Sequence, residues 1–490
     1  MGFDPLEAGE PNAIAIVSDA ASYTYGEFRR LRGRMAKLLR GEARHRLLVF
    51  IFTDRALGGI TAYLACLHND DVAGWLPAIT SESQLSALLD QYGPDRLVLT
   101  HGQWSRWGPV LRTDGYQHVE SFGLVIASST TRRAEEVSEE VTLLLRTSGI
   151  SGAPKMVKLS ADGLIANSDA IRVALRIGPA SRAVTSLPLH YTYGLSILHS
   201  HLYAGGSIVL TDLPHTGRSF WWVMSRNACT SFAGVPHHFE WLRGAVRRWP
   251  ELPVPRTVTV SGGSMRRETL LAMDDLCRTR GGEFYVMYGQ TEATARITVL
   301  PPADIGARGG SVGLPVGDWT IRVLDKQDRP VRERHSGRIV LWGRSAMLGY
   351  ATCRADLAER GGPISPLDTG DHGCFRDGYL YLTGRSTRMI KPAGVRVALD
   401  DIERELGELA EVAVVGFSDQ SAVACYRRSA PAERLAERWV ALAAALRVPT
   451  NALAIRPVRD IPLTDRGKVD YRALSAEIGI TPQESSQEAK

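Results

Sequence analysis

Apolar residues in this chain fall into two alternating patterns. Residues 28–39 repeat them at helical spacing, with arginines between, and predict a helix. Residues 46–52 form a short apolar run that predicts a strand; 57–67 predict a second helix and 96–100 a second strand. The alternation predicts an α/β fold, with sheets in layers, flanking helices and largely parallel strands. Residues 128–140 turn polar and charged, as a surface segment does. A strand at 141–146 follows and runs into a loop rich in Gly, Ser and Thr. Residues 336–341 and 379–382 predict strands beside glycine-rich turns.

After Gly384 a short basic stretch leads into a strand at 395–399, a helix at 402–409, a strand at 412–417 and an Ala/Leu-rich helix at 433–446. That block of about 100 residues has the size of a small separate domain. The expected organisation is a large multi-layer N-terminal domain over residues 1–382, a small α+β C-terminal domain over 383–478 and a disordered tail over 479–490. No repeat at solenoid periods is visible. A chain of 490 residues exceeds the size at which one core stops growing, which agrees with at least two domains.

The net charge of +5 is small for this length. It suits a phosphate-rich substrate and is too weak and dispersed for a nucleic-acid partner. The six cysteines lie far apart with no CxxC pair, which fits a reducing compartment without structural zinc. The N-terminal stretch carries acids early and lacks a basic-then-apolar signal pattern, and Leu6 stands where a myristoylation site needs Ser or Thr. No apolar run reaches the roughly 18 residues needed for a membrane span. A cytoplasmic protein without membrane insertion is expected.

Five segments carry candidate chemistry. In the first, Thr147, Ser148, Gly149, Ile150, Ser151, Gly152, Ala153, Pro154 and Lys155 follow a strand. Backbone N–H groups and hydroxyls of such a loop can surround phosphate oxygens, with Lys155 as a point charge. It is not a Walker A loop. The second is Tyr288, Gly289, Gln290, Thr291 and Glu292: an aromatic that can stack on a purine, a hydroxyl for a phosphate and a carboxylate for Mg²⁺. The third is Asp368, Thr369, Gly370 and Asp371, whose carboxylate can accept both hydroxyls of a ribose. The fourth is Gly384 and Arg385, followed by Lys391 and Gly394. The fifth closes on Gly467 and Lys468.

In this order the segments resemble the adenylate-forming superfamily: acyl- and aryl-CoA synthetases, adenylation domains of peptide synthetases, and beetle luciferases. Residues 147–155 are similar to its phosphate loop, 288–292 to its Y-G-x-T-E, and 336–343 with 347–350 to its G-E-[IL]-x-x-x-G … M-x-G-Y stretch. The resemblance spans about residues 10–475. It implies that Thr147, Ser148, Ser151 and Lys155, with Gly149 and Gly152, hold the ATP phosphates. It implies that Gly262, Gly263, Ser264, Tyr288 and Gly289 frame the adenine, that Thr291 meets the α-phosphate and that Glu292 binds Mg²⁺. Asp371 and Arg385 would hold the ribose, and Lys468 would bridge the acid and the α-phosphate. The small C-terminal domain is then mobile, turning to present Lys391 to Gly394 for a transfer step. The implied reaction joins an acid to AMP with release of pyrophosphate, then passes the acyl group to a thiol of CoA or of a carrier protein. The acid is expected to be aryl or fatty.

The sequence also departs from the pattern. Ile150 replaces a hydroxyl residue, Thr387 and Arg388 replace the usual hinge residues, and Ala398 replaces a glutamate. In the gate from Leu187 to Gly194, Tyr191 takes the usual histidine place and His190 precedes it. No aspartate is placed there to grip an amine, so a free α-amino acid is disfavoured. His237 and His238 are candidates for binding an anionic or hydroxylated substrate; packed core or surface histidines are the competing reading. The altered hinge and these histidines leave room for a non-thiol acceptor, an amide-forming or nitrite-activating relative, and a non-catalytic nucleotide-binding relative is the remaining alternative.

Overall fold

The computed structural model describes residues 2–480 except 54, 78–80, 132–135, 147–154, 264, 326, 386–388, 396, 408 and 463–468. Two large sheets dominate. The nine-stranded sheet runs, edge to edge, through Leu314–Pro315, Thr298–Leu300, Glu283–Tyr288, Thr257–Val260, Ser231–Gly234, Arg182–Val184, Ser207–Val209, Ile14–Val17 and Ser22–Thr24. Its centre is parallel, as the alternation of helix and strand predicts. The eight-stranded sheet is mixed, with Val72–Trp75, Leu48–Ile51 and Arg96–Leu99 parallel at its middle.

One hydrophobic cluster joins these sheets, combining Val49, Ile51, Leu143 and Leu145 from one with Ile16, Ile208, Tyr285 and Met287 from the other. The helix Leu57–Asn69 contributes to it with every residue from Gly59 to Leu67 buried. A helix that is apolar all round belongs inside. Its Tyr63 hydroxyl meets His199 Nε2 at 2.8 Å, tying it to the helix Thr192–Tyr203. The helix Tyr25–Arg40 starts on a capping box: Thr24 Oγ1 accepts from the Glu27 N–H at 3.2 Å, and the Glu27 carboxylate accepts from the Thr24 N–H at 2.8 Å.

A four-stranded antiparallel sheet follows, from Thr320–Leu324, Gly337–Trp342, Leu367–Arg376 and Tyr379–Arg385. Further along, Val412–Ser418, Ser421–Arg427 and Leu453–Val458 make a three-stranded sheet. Its core is local: Ile390, Leu399, Ile402, Leu406, Val414 and Trp439 pack together. The strand expected at 395–399 is shorter. Val397–Ala398 pairs with Met389–Ile390, and Leu399 already opens the helix Leu399–Gly407. Acidic residues next to Leu399 favour a helix's first turn, which moves the start forward. The expected tail begins inside a turn at Gly479, and residues 481–490 lie outside the described residues. All six cysteines are free thiols. Among the described residues no helix is long and apolar enough to cross a membrane.

Candidate active site

Three neighbouring parallel strands end on one edge of the nine-stranded sheet, with Gly234, Val260 and Val286 in register. Each strand then feeds a different candidate segment. Ser231–Gly234 leads into Val235 and the helix Pro236–Arg248, Thr257–Val260 into Gly262 and Gly263, and Glu283–Tyr288 into Gly289 to Glu292. The crevice beyond the carboxyl ends of parallel strands is where such sheets bind ligands.

Glycine is required at two of these turns. A Cβ on Gly289 would lie 1.5 Å from the Ala295 carbonyl oxygen. Gly262 has φ of +88°, and a Cβ there would lie 2.6 Å from the Tyr191 hydroxyl. The expected gate residue Tyr191 therefore faces the glycine turn directly. Gly194 sits in the first turn of the helix Thr192–Tyr203, where a Cβ would meet the Pro188 carbonyl oxygen at 2.2 Å.

Residues far apart in sequence meet here. The Tyr288 hydroxyl donates to Asp371 Oδ2 at 2.6 Å, and Asp371 is 1% exposed. The Thr291 and Thr192 hydroxyls are 2.7 Å apart. Glu292 Oε1 accepts from the Tyr350 hydroxyl at 3.1 Å, and its carbonyl accepts from the Met347 N–H at 2.8 Å. Lys155 Nζ stands 3.5 Å from the centre of the Tyr350 ring, within cation–π range. Lys155, Tyr350 and Glu292 thus form one chain from a cation to a carboxylate. A carboxylate next to a threonine hydroxyl is a hard-oxygen donor set of the kind that Mg²⁺ takes.

The predicted transfer segment also arrives at this edge. Gly394, at φ of +84°, faces Val235, and a Cβ on it would lie 3.2 Å from Val235 Cγ1. The same Val235 Cγ1 is 3.2 Å from the Cβ position of Gly262, and Pro236 packs on Gly263. Lys391, half-buried, opens this turn, and its carbonyl accepts from the Gly394 N–H at 3.1 Å.

His237 and His238 occupy the first turn of the helix Pro236–Arg248 and are joined by His215. The His215 and His238 rings lie 3.7 Å apart, those of His237 and His238 4.3 Å, and ring nitrogens of all three come within 4.8 Å of one another. Burial, reinforced by the neighbouring imidazoles, pushes His238 down to about 2 and His215 down to about 4; burial also lowers His237. This wall is neutral at neutral pH. His190 is half-buried at the turn before the helix Thr192–Tyr203.

Thr147, Ser148, Gly149, Ser151, Gly152, Ser264 and Lys468 lie outside the described residues, as does the side chain of Arg385. In the sequence Tyr350 and Thr192 are members of motifs without roles of their own, yet in the fold they position Glu292 and Thr291. Arg296 belongs to none of the five segments. Its one sequence signal is a lone cation beside the largely apolar run from Ile297 to Leu300.

Comparison with known proteins bears on the family and the fold. Sulfoacetate–CoA ligase of Cupriavidus necator is 32% identical over 290 residues, 56% of this chain and 54% of the ligase. Phenyloxazoline synthase MbtB of a Mycobacterium species is 25% identical over 97% of this chain, which spans 42% of that synthase. The chain therefore spans about half or less of the length of these relatives. Among solved structures, the amide bond synthetase McbA of Marinactinospora thermotolerans shares the fold with a TM-score of 0.77 at 22% identity, covering 97% of this chain and 99% of its own. A family model described as AMP-binding enzyme matches residues 6–351, and a match over most of the chain, on a fold whose sheet edge gathers these segments, makes this protein a member of the adenylate-forming, AMP-binding enzyme family.

Proposed function

We propose that this chain is an ATP-dependent ligase that activates a small carboxylic acid as an acyl-adenylate and then transfers the acyl group to a thiol, of CoA or of a carrier-protein phosphopantetheine. The observation that carries the reading is the meeting, at one sheet edge, of the Tyr288–Asp371 pair with the Lys155–Tyr350–Glu292 chain. The first offers a carboxylate for ribose hydroxyls beside an aromatic for the base. The second offers a cation and a carboxylate for the phosphate end.

In the first step a carboxylate oxygen attacks the α-phosphorus, the bond from that phosphorus to the bridging oxygen breaks, and pyrophosphate leaves. Both reactants are anions, so fixed positive charge at the junction lowers the barrier. In this reading Lys468 supplies it, Thr291 orients the α-phosphate, the 147–155 loop takes the outer phosphates, and Asp371 with Arg385 holds the ribose. Glu292 would hold Mg²⁺, which supplies charge neutralisation on the phosphate oxygens when bound. Alignment of the two reactants provides much of the remaining rate.

In the second step a thiolate attacks the acyl carbon and AMP departs. The seat of the Gly394 turn on Val235, beside Gly262, supports a transfer role for that turn. We assign the large unit to residues 1–382 and a mobile small unit to 383–478, and place the enzyme in the cytoplasm, where ATP and CoA are available. The sulfoacetate ligase acts, by its name, on an acid with a second acidic group, which favours a small polar acid over a long fatty one.

Acid-dependent ATP–pyrophosphate exchange tests the proposal. Lys468→Ala should nearly abolish exchange while ATP still binds. Full exchange in that variant would remove Lys468 from the mechanism, and failure of every acid tested to support exchange would overturn adenylation.

A further inference from the structure

Arg296 is buried, at 2% exposed, and has no carboxylate within ion-pair distance among the described residues. Its main chain is clamped. The N–H donates to Asn167 Oδ1 at 3.2 Å, and the carbonyl accepts from Asn167 Nδ2 at 2.9 Å and from Trp319 Nε1 at 2.8 Å. The backbone that carries the side chain is therefore fixed in place. Inside, the guanidinium lies 4.3 Å from the centre of the Tyr193 ring, and Nη2 donates to Ser196 Oγ at 3.2 Å. Among the described residues, Nε is buried with no hydrogen-bond partner. A ring face and one hydroxyl leave most of a guanidinium's donors unused, and an uncompensated buried charge is strongly unfavourable.

This cation borders the candidate active site. Tyr193 and Ser196 lie on the first turns of the helix Thr192–Tyr203, whose Thr192 meets Thr291 at 2.7 Å. The Tyr191 and Tyr193 rings are 6.2 Å apart, and Tyr191 faces Gly262. Thr291, assigned above to the α-phosphate, is thus one hydroxyl contact away from the helix turn that carries Tyr193 and Ser196.

We propose that Arg296 binds a second oxyanion on the substrate, a carboxylate or a sulfonate remote from the reacting carboxylate, so that the acid activated by this enzyme is dianionic. The proposal rests on the adenylation reading and narrows its substrate class. A guanidinium whose Nε lacks a partner matches such a group in charge and donor pattern, and a neutral end leaves that donor unsatisfied.

The test is pyrophosphate exchange by the full chain with ATP. Dicarboxylic and sulfocarboxylic acids of graded length are compared with the half-amide of each diacid and with monocarboxylic acids. The wild type is expected to prefer a diacid or sulfo-acid over its neutral-ended analogue by on the order of 100-fold or more in kcat/KM. Arg296→Gln should erase most of that preference, chiefly through KM, with ATP affinity unchanged, and Arg296→Lys should restore part of it. The better of the two dianionic series identifies the oxyanion. Equal use of diacid and half-amide by the wild type, or exchange with monoacids only, overturns the proposal and leaves adenylation standing. The wild-type comparison decides this even if the Arg296 variants fail to fold. Failure of every acid, dianionic or not, to support exchange overturns adenylation, and this proposal with it.

Discussion

Arg354 and Arg296 are both buried arginines, and their surroundings differ. Arg354 meets Asp95 Oδ2 at 3.0 Å and donates to the Gly93 carbonyl at 2.8 Å, while the same Asp95 oxygen accepts from the Leu48 N–H at 2.7 Å. That ion pair ties the turn after Gly349–Ala351 to the segment before Arg96–Leu99, and the Leu48 bond joins the strand Leu48–Ile51 to the same carboxylate. Arg296 has a tyrosine face and one serine. A charge whose partner is covalently present serves the fold; a charge without a carboxylate among the described residues is the one proposed above to await a ligand. The contrast can be broken by stability measurements that ask what each charge contributes when nothing is bound.

The largest effect should come from Arg354→Met. It leaves Asp95 buried without its cation, and breaking one side of a buried pair costs about 3–5 kcal/mol. Urea denaturation should show that loss, with activity per folded molecule retained. A loss under about 1 kcal/mol would mean that the pair is no more important than a surface one.

A second effect, smaller for each group and each pH unit, concerns buried groups that avoid charge altogether. Burial holds His199 down at about 3 and His201 at about 4, as it holds His215 and His238 low. All lie below the ordinary histidine value of 6.5, so below that pH the unfolded chain binds more protons than the folded one. Stability should therefore be independent of these groups above about pH 6.5 and fall as pH drops from there toward 4, by up to ~1.4 kcal/mol per pH unit for each histidine. His201→Gln should flatten the profile by one such increment. An unchanged slope would show that His201 is protonated, or solvated, in the fold.

The smallest effect on stability is expected for Arg296→Met. Removing a buried charge that lacks a carboxylate should leave stability within about 1 kcal/mol of wild type, or raise it. A drop as large as that of Arg354→Met would place Arg296 in the structural class and erase the distinction. Added diacid should raise the melting temperature of the wild type and not that of the variant, since a ligand stabilises only the state that binds it.

Elements whose character is set locally are legible in the sequence. The helix expected at 57–67 is Leu57–Asn69, and the strand expected at 412–417 is Val412–Ser418, because an unbroken apolar pattern leaves one way to bury each. The segment 288–292 is visible, and so is Asp371. Their bond is not, since a contact between residues 83 positions apart has no local signal. The histidine pair at 237 and 238 stands out in sequence, whereas the ring of His215 reaches it only through tertiary packing. Arg296 escapes a sequence reading for a physical reason: an isolated cation beside a strand faces solvent far more often than core, and only the packing against Tyr193 shows otherwise.

Val235 has one consequence of its own. Gly262 and Gly394 both crowd its side chain, with a Cβ on either lying 3.2 Å from the same methyl carbon. Both turns therefore rest on one methyl group at once, so a side chain added at either glycine would have to displace Val235 and would disturb the other turn as well.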